Sequence, residues 1–194
     1  MKIGIFGGSF DPFHKGHLAV IRAFLSLYIP EKLYIVPVYQ QPLKEKQPSA
    51  PFQKRAEMIR AAFQDPRMII SDYENKKKGL SYTVETLKHF CDEGKLYLIM
   101  GSDSALTLDK WKETETIFSL STPVVYPRRG SSLRNVKARW GNQVEIMPMR
   151  PVAAASSQIR ERIRAGKNCR RFLPGEVWEI IQREGLYGWP KKSN

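Results

Sequence analysis

The stretch MKIGIFGGSFDPFHKGH, residues 1–17, decides how the rest of the chain is read. Ile3 to Phe6 is a short apolar run that fits a buried strand, and Gly7-Gly8 is the bend at its carboxyl end. Ser9, Asp11 and Pro12 belong to a tight loop, and the apolar run from Leu18 to Tyr28 reads as the helix that follows. A strand, a glycine turn and a helix in that order open a parallel α/β sheet. In such sheets ligands bind beyond the carboxyl ends of the strands, which makes this loop the candidate pocket.

Two features of the loop point to phosphate. Glycines let the backbone approach an anion closely, and the free N–H groups at the start of the next helix favour negative charge. The sharper feature is His14-Lys15-Gly16-His17. Residues three apart at a helix start face the same way, and Gly16 removes a side chain beside them. Both imidazoles can then meet one phosphoryl group, donating hydrogen bonds to oxygens on which charge develops. The third histidine, His89, lies in a helical-looking stretch away from any strand end.

Working outward, five more apolar runs read as strands: Lys32 to Pro37, Met68 to Ile70, Leu96 to Met100, Val124 to Tyr126 and Val144 to Met147. Helical stretches alternate with them. The first should stop near Tyr28-Ile29-Pro30, because proline lacks the N–H that a continuing helix needs. Phe52 to Phe63 follows the second strand, and Ser81 is placed to cap a helix before Glu85. Leu108 and Trp111 suggest one side of another helix. SSQIRERIRAG opens on candidate capping serines, and PGEVWEIIQREGLY reads as a terminal amphipathic helix ending at Gly185. The alternation gives an α/β, Rossmann-like doubly wound parallel sheet with a small helical C-terminal subdomain. It is expected to be one domain over 1–194, with 150–194 as a basic helical subdomain; strand order is not readable from the runs.

Several polar turns fall at strand ends and therefore toward the same crevice. Gly101, Ser102 and Asp103 follow the fourth strand, and Asp103 suits a ribose hydroxyl or a helix cap. Tyr82 and Thr83 offer hydroxyl and backbone donors, or simple capping and packing. The loop VYQQPLKEKQPSAP carries Lys44 and Lys46, either phosphate contacts or solvated lysines. Trp111 can stack on an aromatic ligand or fill a core. Arg160, after Ser156-Ser157, has the donor fork that holds phosphate oxygens.

The chain has 194 residues, 42% of them hydrophobic, enough for one substantial core. The formal charge of +13 is uneven: residues 121–194 hold 15 Lys or Arg against 5 Asp or Glu. That sign suits a polyphosphate or a nucleic acid, but no zinc finger, basic zipper or aromatic RNA-binding signature accompanies it, so no stable nucleic-acid partner is expected. No run approaches a membrane span, and Met1-Lys2 leads straight into a strand. Two distant cysteines suggest neither a disulfide framework nor a zinc site, and a cytoplasmic setting is expected. The glycines lack the spacing of a dinucleotide fingerprint or of a P-loop.

Taken together, GIFGGSFDPFHKGH (4–17), VPVYQQPLK (36–44), SYTVET (81–86), GSDSALTLDKW (101–111), SSQIRER (156–162) and LPGEVWEIIQREGLY (173–187) resemble the bacterial nicotinic acid mononucleotide adenylyltransferase family. The resemblance implies that ATP and nicotinic acid mononucleotide are joined into deamido-NAD and pyrophosphate, normally with Mg²⁺. It implies that His14 and His17 bind the ATP phosphates and stabilise the transition state, with Gly8 and Ser9 beside them and Lys44 and Arg160 as the basic members. It places Gly101, Asp103, Ser156 and Ser157 on the ATP side, Asp103 near the ribose. Tyr82 and Thr83 would meet the nicotinate and Trp111 would stack on its ring. No protein metal cage is implied. The chain departs from the family pattern at Val38, at Leu43, at Glu85 in place of Asp, at Lys112 in place of Tyr, and at Ala155. An acceptor such as nicotinamide mononucleotide or phosphopantetheine is the alternative within the same chemistry, and a noncatalytic basic nucleic-acid-binding protein the alternative outside it. Oligomeric state is not encoded in these motifs.

Overall fold

The structure, a computed structural model, describes residues 1–42 and 48–191. Six strands form one parallel sheet: β1 (Lys2–Gly8), β2 (Lys32–Pro37), β3 (Met68–Ile70), β4 (Lys95–Gly101), β5 (Ser121–Tyr126) and β6 (Glu145–Ile146). Their order is β3-β2-β1-β4-β5-β6, so the chain winds outward from β1 in one direction and then from β4 in the other. Between and after them lie α1 (Lys15–Tyr28), α2 (Phe52–Ala62), α3 (Tyr73–Lys77), α4 (Thr83–Phe90), α5 (Ser102–Ala105), α6 (Thr114–Leu120), α7 (Leu133–Trp140), α8 (Ser156–Arg164) and α9 (Gly175–Glu184).

Alternation along the strands fills both faces of the sheet. Phe6, Leu33, Ile35, Ile99 and Val124 point into one core with Val20, Ile21 and Phe24 of α1, Met58 and Ile59 of α2, and Ile163, Val177 and Ile181 of the last two helices. Ile3, Ile5, Val36, Leu98, Met100 and Val125 point into the other, against Val84, Leu87, Ile117 and Val136 of α4, α6 and α7. Two buried faces explain why the strands are continuous apolar runs. The C-terminal helices share the first of these cores, with α9 packed on α2.

Helix ends follow the expected chemistry in two places. Ile29, with φ of 47°, turns the chain out of α1 ahead of Pro30, and Gly185, with φ of 64°, does so after α9. Other details differ from the sequence reading. β5 runs through Pro123, where β4 is its partner and β6 has not yet begun, so the missing N–H deprives no neighbour. The charged segment after β3 and the basic section after β5 contain α3 and α7. Leu108–Lys110 is a 3₁₀ turn with Leu108 buried beneath it, and Trp111 follows in extended backbone.

Candidate active site

β1, β4 and β5 end beside one another, and the crevice beyond them is a cavity of about 860 Å³. Gly8, Ser9, His14, His17, Tyr82, Thr83, Gly101, Asp103, Trp111, Ser156, Ser157 and Arg160 all line it. Lys44 and Leu43 lie outside the described residues. His89 is elsewhere, exposed and stacked on Tyr73 at 4.1 Å between ring centroids.

The turn after β1 is shaped by close contacts. A Cβ on Gly8 would stand 3.0–3.3 Å from the Phe10 ring, so glycine admits that ring. Phe10 itself sits at φ of 49°, a left-handed conformation that its burial against Phe6, Phe13 and His17 holds in place. Gly16 answers to the same crowding: a Cβ there would stand 2.5 Å from Val152 and 3.0 Å from the His14 ring.

The two histidines cap α1 for each other. His14 is the N-cap, and its Nδ1 accepts from the backbone N–H of His17 at 3.2 Å; His17 Nδ1 accepts from the backbone N–H of His14 at 3.2 Å. The rings stack at 3.6 Å, 10° from parallel. A neutral imidazole that accepts at Nδ1 carries its proton on Nε2, so each ring presents an N–H donor on the edge turned away from the helix backbone. Burial, reinforced by the Arg128 guanidinium, pushes His14 down to about 3. Burial also holds His17 well below the ordinary imidazole value, with His14 and Arg128 adding to the effect. The pair is neutral at pH 7.

Around these donors the structure gathers further positive potential. α8 begins at Ala155, which offers no side-chain cap; Ser156 and Ser157 are already helical, and Ser156 Oγ donates to the Pro12 carbonyl at 3.0 Å. The first N–H groups of α8 are thus left without a side-chain acceptor. Arg160, one turn on, donates from Nη1 to the Asp11 carbonyl at 2.6 Å, while its Nε is buried without a partner. Arg128, which sequence reasoning missed, follows β5 directly. Its Nη1 lies 3.4 Å from Asp103 Oδ2, and its N–H donates to Ser102 Oγ at 2.9 Å. Its place just past a strand end was the available signal.

A second cluster surrounds the start of α4. Ser81 does not cap this helix: its Oγ accepts from the backbone N–H of Tyr39 at 2.9 Å, fixing the loop after β2. Tyr82 is the N-cap and supplies no side-chain bond, so this helix also opens with bare N–H groups, at Thr83. The Lys112 ammonium sits 4.5 Å from the Tyr82 ring centroid and 2.9 Å from Glu85 Oε1. Two departures from the family pattern, Glu85 and Lys112, therefore pair with each other. Trp111 packs on the same core as Tyr82.

Among the described residues, no group of three or more His, Cys, Asp or Glu is placed to hold a metal. Two neutral histidines and the side chains of Lys110, Lys112, Arg128 and Arg160, against Asp11, Glu74 and Asp103, line the cavity, a balance that suits an anion, or a magnesium that comes with its own phosphate ligands rather than a bare ion. No described helix is long and apolar enough to cross a membrane.

A doubly wound sheet whose first strand runs into two helix-capping histidines, with a remote arginine helix bonded to the loop before them, is the framework of a nucleotidyltransferase; the cytidylyltransferase-like family model matches residues 5–162. Full-length relatives narrow this class. The chain is 38% identical over 194 residues to a probable nicotinate-nucleotide adenylyltransferase of Thermotoga maritima, covering 96% of this chain and 93% of the relative. It is 34% identical over 197 residues to a probable enzyme of the same name from Clostridium acetobutylicum, covering 96% and 98%. The chain belongs to the nicotinate-nucleotide adenylyltransferase family. Its fold is also that of the Plasmodium falciparum nicotinic acid mononucleotide adenylyltransferase solved with NaAD, at a TM-score of 0.83 and 17% identity over 97% of this chain and 98% of that one.

Proposed function

We propose that this chain transfers AMP from ATP to nicotinic acid mononucleotide, forming deamido-NAD and pyrophosphate. The observation that carries this reading is the pairing, in one cavity, of a phosphate-sized cluster of neutral and cationic donors with a second, uncapped helix start beside an indole. An oxygen of the acceptor's 5′-phosphate attacks the α-phosphorus of ATP, the bond from the α-phosphorus to the bridging oxygen breaks, and pyrophosphate leaves. No covalent enzyme intermediate and no redox partner is required. The demand on the protein is alignment and charge stabilisation.

His14 and His17 donate from Nε2 to the oxygens of the transferred group, without adding an anion beside a triphosphate. Gly8 and Ser9 lie under the phosphates. Arg160, Arg128 and the open N–H groups at Ser156 and Ser157 hold the β- and γ-oxygens, with Lys44 assigned to the same task. Gly101 leaves room for the Asp103 and Arg128 side chains, since a Cβ would collide with Asp103 and stand 2.7 Å from Arg128 Cδ, and with Gly101 on the adenosine side Asp103 accepts from the ribose. On the acceptor side the α4 N-terminus at Thr83 receives the pyridine carboxylate, Tyr82 flanks it, and Trp111 stacks on the ring. Mg²⁺ would arrive with ATP and would supply charge neutralisation at the phosphates, since no cluster of ligands among the described residues is placed to hold it alone. The two free cysteines, Cys91 and Cys169, fit a reducing cytoplasmic setting.

Pyrophosphate release from ATP, measured in parallel with nicotinic acid mononucleotide, nicotinamide mononucleotide and phosphopantetheine, tests the reading. Turnover is expected with the first and is expected to be weak with the others. No turnover with any of the three in the presence of Mg²⁺ refutes adenylyl transfer, and equal turnover with the two pyridine mononucleotides refutes selection of the acid.

A further inference from the structure

Asp11 is 1% exposed, and its carboxylate accepts from three donors. Its Oδ1 accepts from the Ala50 amide at 3.0 Å and from the Tyr187 hydroxyl at 2.8 Å. Its Oδ2 accepts from the Ser49 amide at 2.7 Å and lies 3.6 Å from Arg160 Nη1. That same nitrogen makes its good hydrogen bond to the Asp11 main-chain carbonyl. Arg160 therefore grips the loop by its backbone and only grazes the carboxylate.

A buried carboxylate offers about four acceptor positions, and leaving one empty is costly. Here three are filled by neutral donors, one of them a hydroxyl 176 residues away in the chain. Two cations, Arg160 and Arg55, act on the site of that hydroxyl. Arg55 is committed, donating from Nε to the Ala50 carbonyl at 3.1 Å and from Nη1 to the Ser9 carbonyl at 2.7 Å. Arg160 is the one with a buried, unpartnered nitrogen and a carboxylate already within 3.6 Å. Without the hydroxyl, its fork would close on Asp11 in a bidentate pair, which withdraws it from the cavity.

We propose that Tyr187 is a positioning residue for triphosphate binding: its hydroxyl occupies Asp11 Oδ1, the second oxygen that a two-point grip by Arg160, already 3.6 Å from Oδ2, would need, and so keeps that guanidinium available to phosphate. The same carboxylate fixes Ser49 and Ala50, the near end of the loop after β2, so the C-terminal segment also steadies that loop. Tyr187 is itself buried, in a left-handed turn at φ of 59° following α9. Burial and the neighbouring Asp11 hold its hydroxyl well above the ordinary phenol range, so it remains a donor. This inference rests on Arg160 being a phosphate ligand.

The test is the dissociation constant for ATP by calorimetry, which needs no turnover and so separates this inference from the choice of acceptor. Tyr187→Phe removes one oxygen and is expected to weaken ATP about tenfold, the scale of one charge-assisted hydrogen bond, while KM for nicotinic acid mononucleotide stays within twofold. In an Arg160→Lys background the same change is expected to add less than twofold, because the residue it acts through is already altered. Val177→Ala, a packing change in α9, is expected to lower thermal stability without weakening ATP. Unchanged ATP affinity in Tyr187→Phe, equal losses in both backgrounds, or an equal loss in Val177→Ala overturns the proposal. Should Tyr187→Phe fail to fold, the same change made in an Asp11→Asn background, where no carboxylate is left to capture Arg160, is decisive: ATP affinity is expected to match Asp11→Asn alone within twofold, and a further tenfold loss overturns the proposal.

Discussion

Acid should destabilise this protein through one identifiable ring. His14 is 3% exposed and its imidazole is pushed down to about 3, against 6.5 when solvated. Between those values the unfolded chain binds a proton that the folded chain refuses, so the folded-state pKa is depressed and stability rises with pH. The stabilisation is complete above 6.5 and is lost as pH falls toward 3. Linkage for this single group gives a loss of about 2 kcal/mol on going from pH 7 to pH 5, roughly a thirtyfold change in the folding equilibrium. His17 acts in the same direction. The perturbation that isolates His14 is His14→Asn: an amide oxygen can still accept from the His17 N–H at the N-cap but does not titrate. Urea unfolding at pH 7, 6 and 5 should show the wild-type and variant curves diverging by that amount, since carboxylates common to both cancel. Parallel pH dependences would refute the account of a buried, neutral, capping imidazole.

Two other substitutions probe the two clusters separately. His17→Ala is expected to lower kcat by about 10²–10³, the scale of one lost transition-state donor, and to cost about 1 kcal/mol of stability because the His14 N–H loses its cap; wild-type kcat/KM in a folded variant would reject the catalytic role. Trp111→Ala is expected to raise KM for the acceptor about tenfold or more through lost stacking, with KM for ATP little changed. Acceptor and ATP constants that both stay at wild type would make the indole a packing residue of the second core.

How much of this was legible in the sequence depends on the range of the interactions involved. The central strands were readable because both faces of the sheet are buried there, so Lys32–Pro37 stands out as an apolar run between polar turns; Met68–Ile70, an edge strand with Ile69 exposed, stood out by its short apolar run alone, and the limits of both hold in the structure. Their order was not, because crossover helices allow several arrangements and only packing selects one. α3 and α7 were hidden by length and polarity: five residues in one case, and in the other eight residues with Val136 alone fully buried. Serine chemistry misled in a consistent way. Ser81 and Ser156 have the composition of caps, but each hydroxyl is bonded to another segment, Ser81 to the loop after β2 and Ser156 to the loop after β1. Their recruitment leaves α4 and α8 open at the ends that face the cavity. Asp11, read as one residue of a tight turn, is engaged by residues 38, 39 and 176 positions away, which no local pattern can disclose.

The opening at those helix ends and the neutrality of the histidines have one physical origin. A site that must accept a triphosphate and then release pyrophosphate needs many donors, yet a fixed excess of buried cations would be costly to fold and would hold the product. Imidazoles stripped of their extra proton by burial, and helix termini carrying about half a charge each, supply donors at low net charge. The full positive charges sit on less buried side chains: that of Arg160 is 23% exposed and that of Arg128 30%, the one close to Asp11 and the other to Asp103. In the unliganded protein Arg128 lies beside the Asp103 carboxylate and Arg160 holds the Asp11 main-chain carbonyl, so on the proposed reading phosphate binding is an exchange of partners rather than the capture of an anion by bare charge. On the proposed reading, that exchange is how the groups behind the arginines, Tyr187 foremost, act on affinity through them.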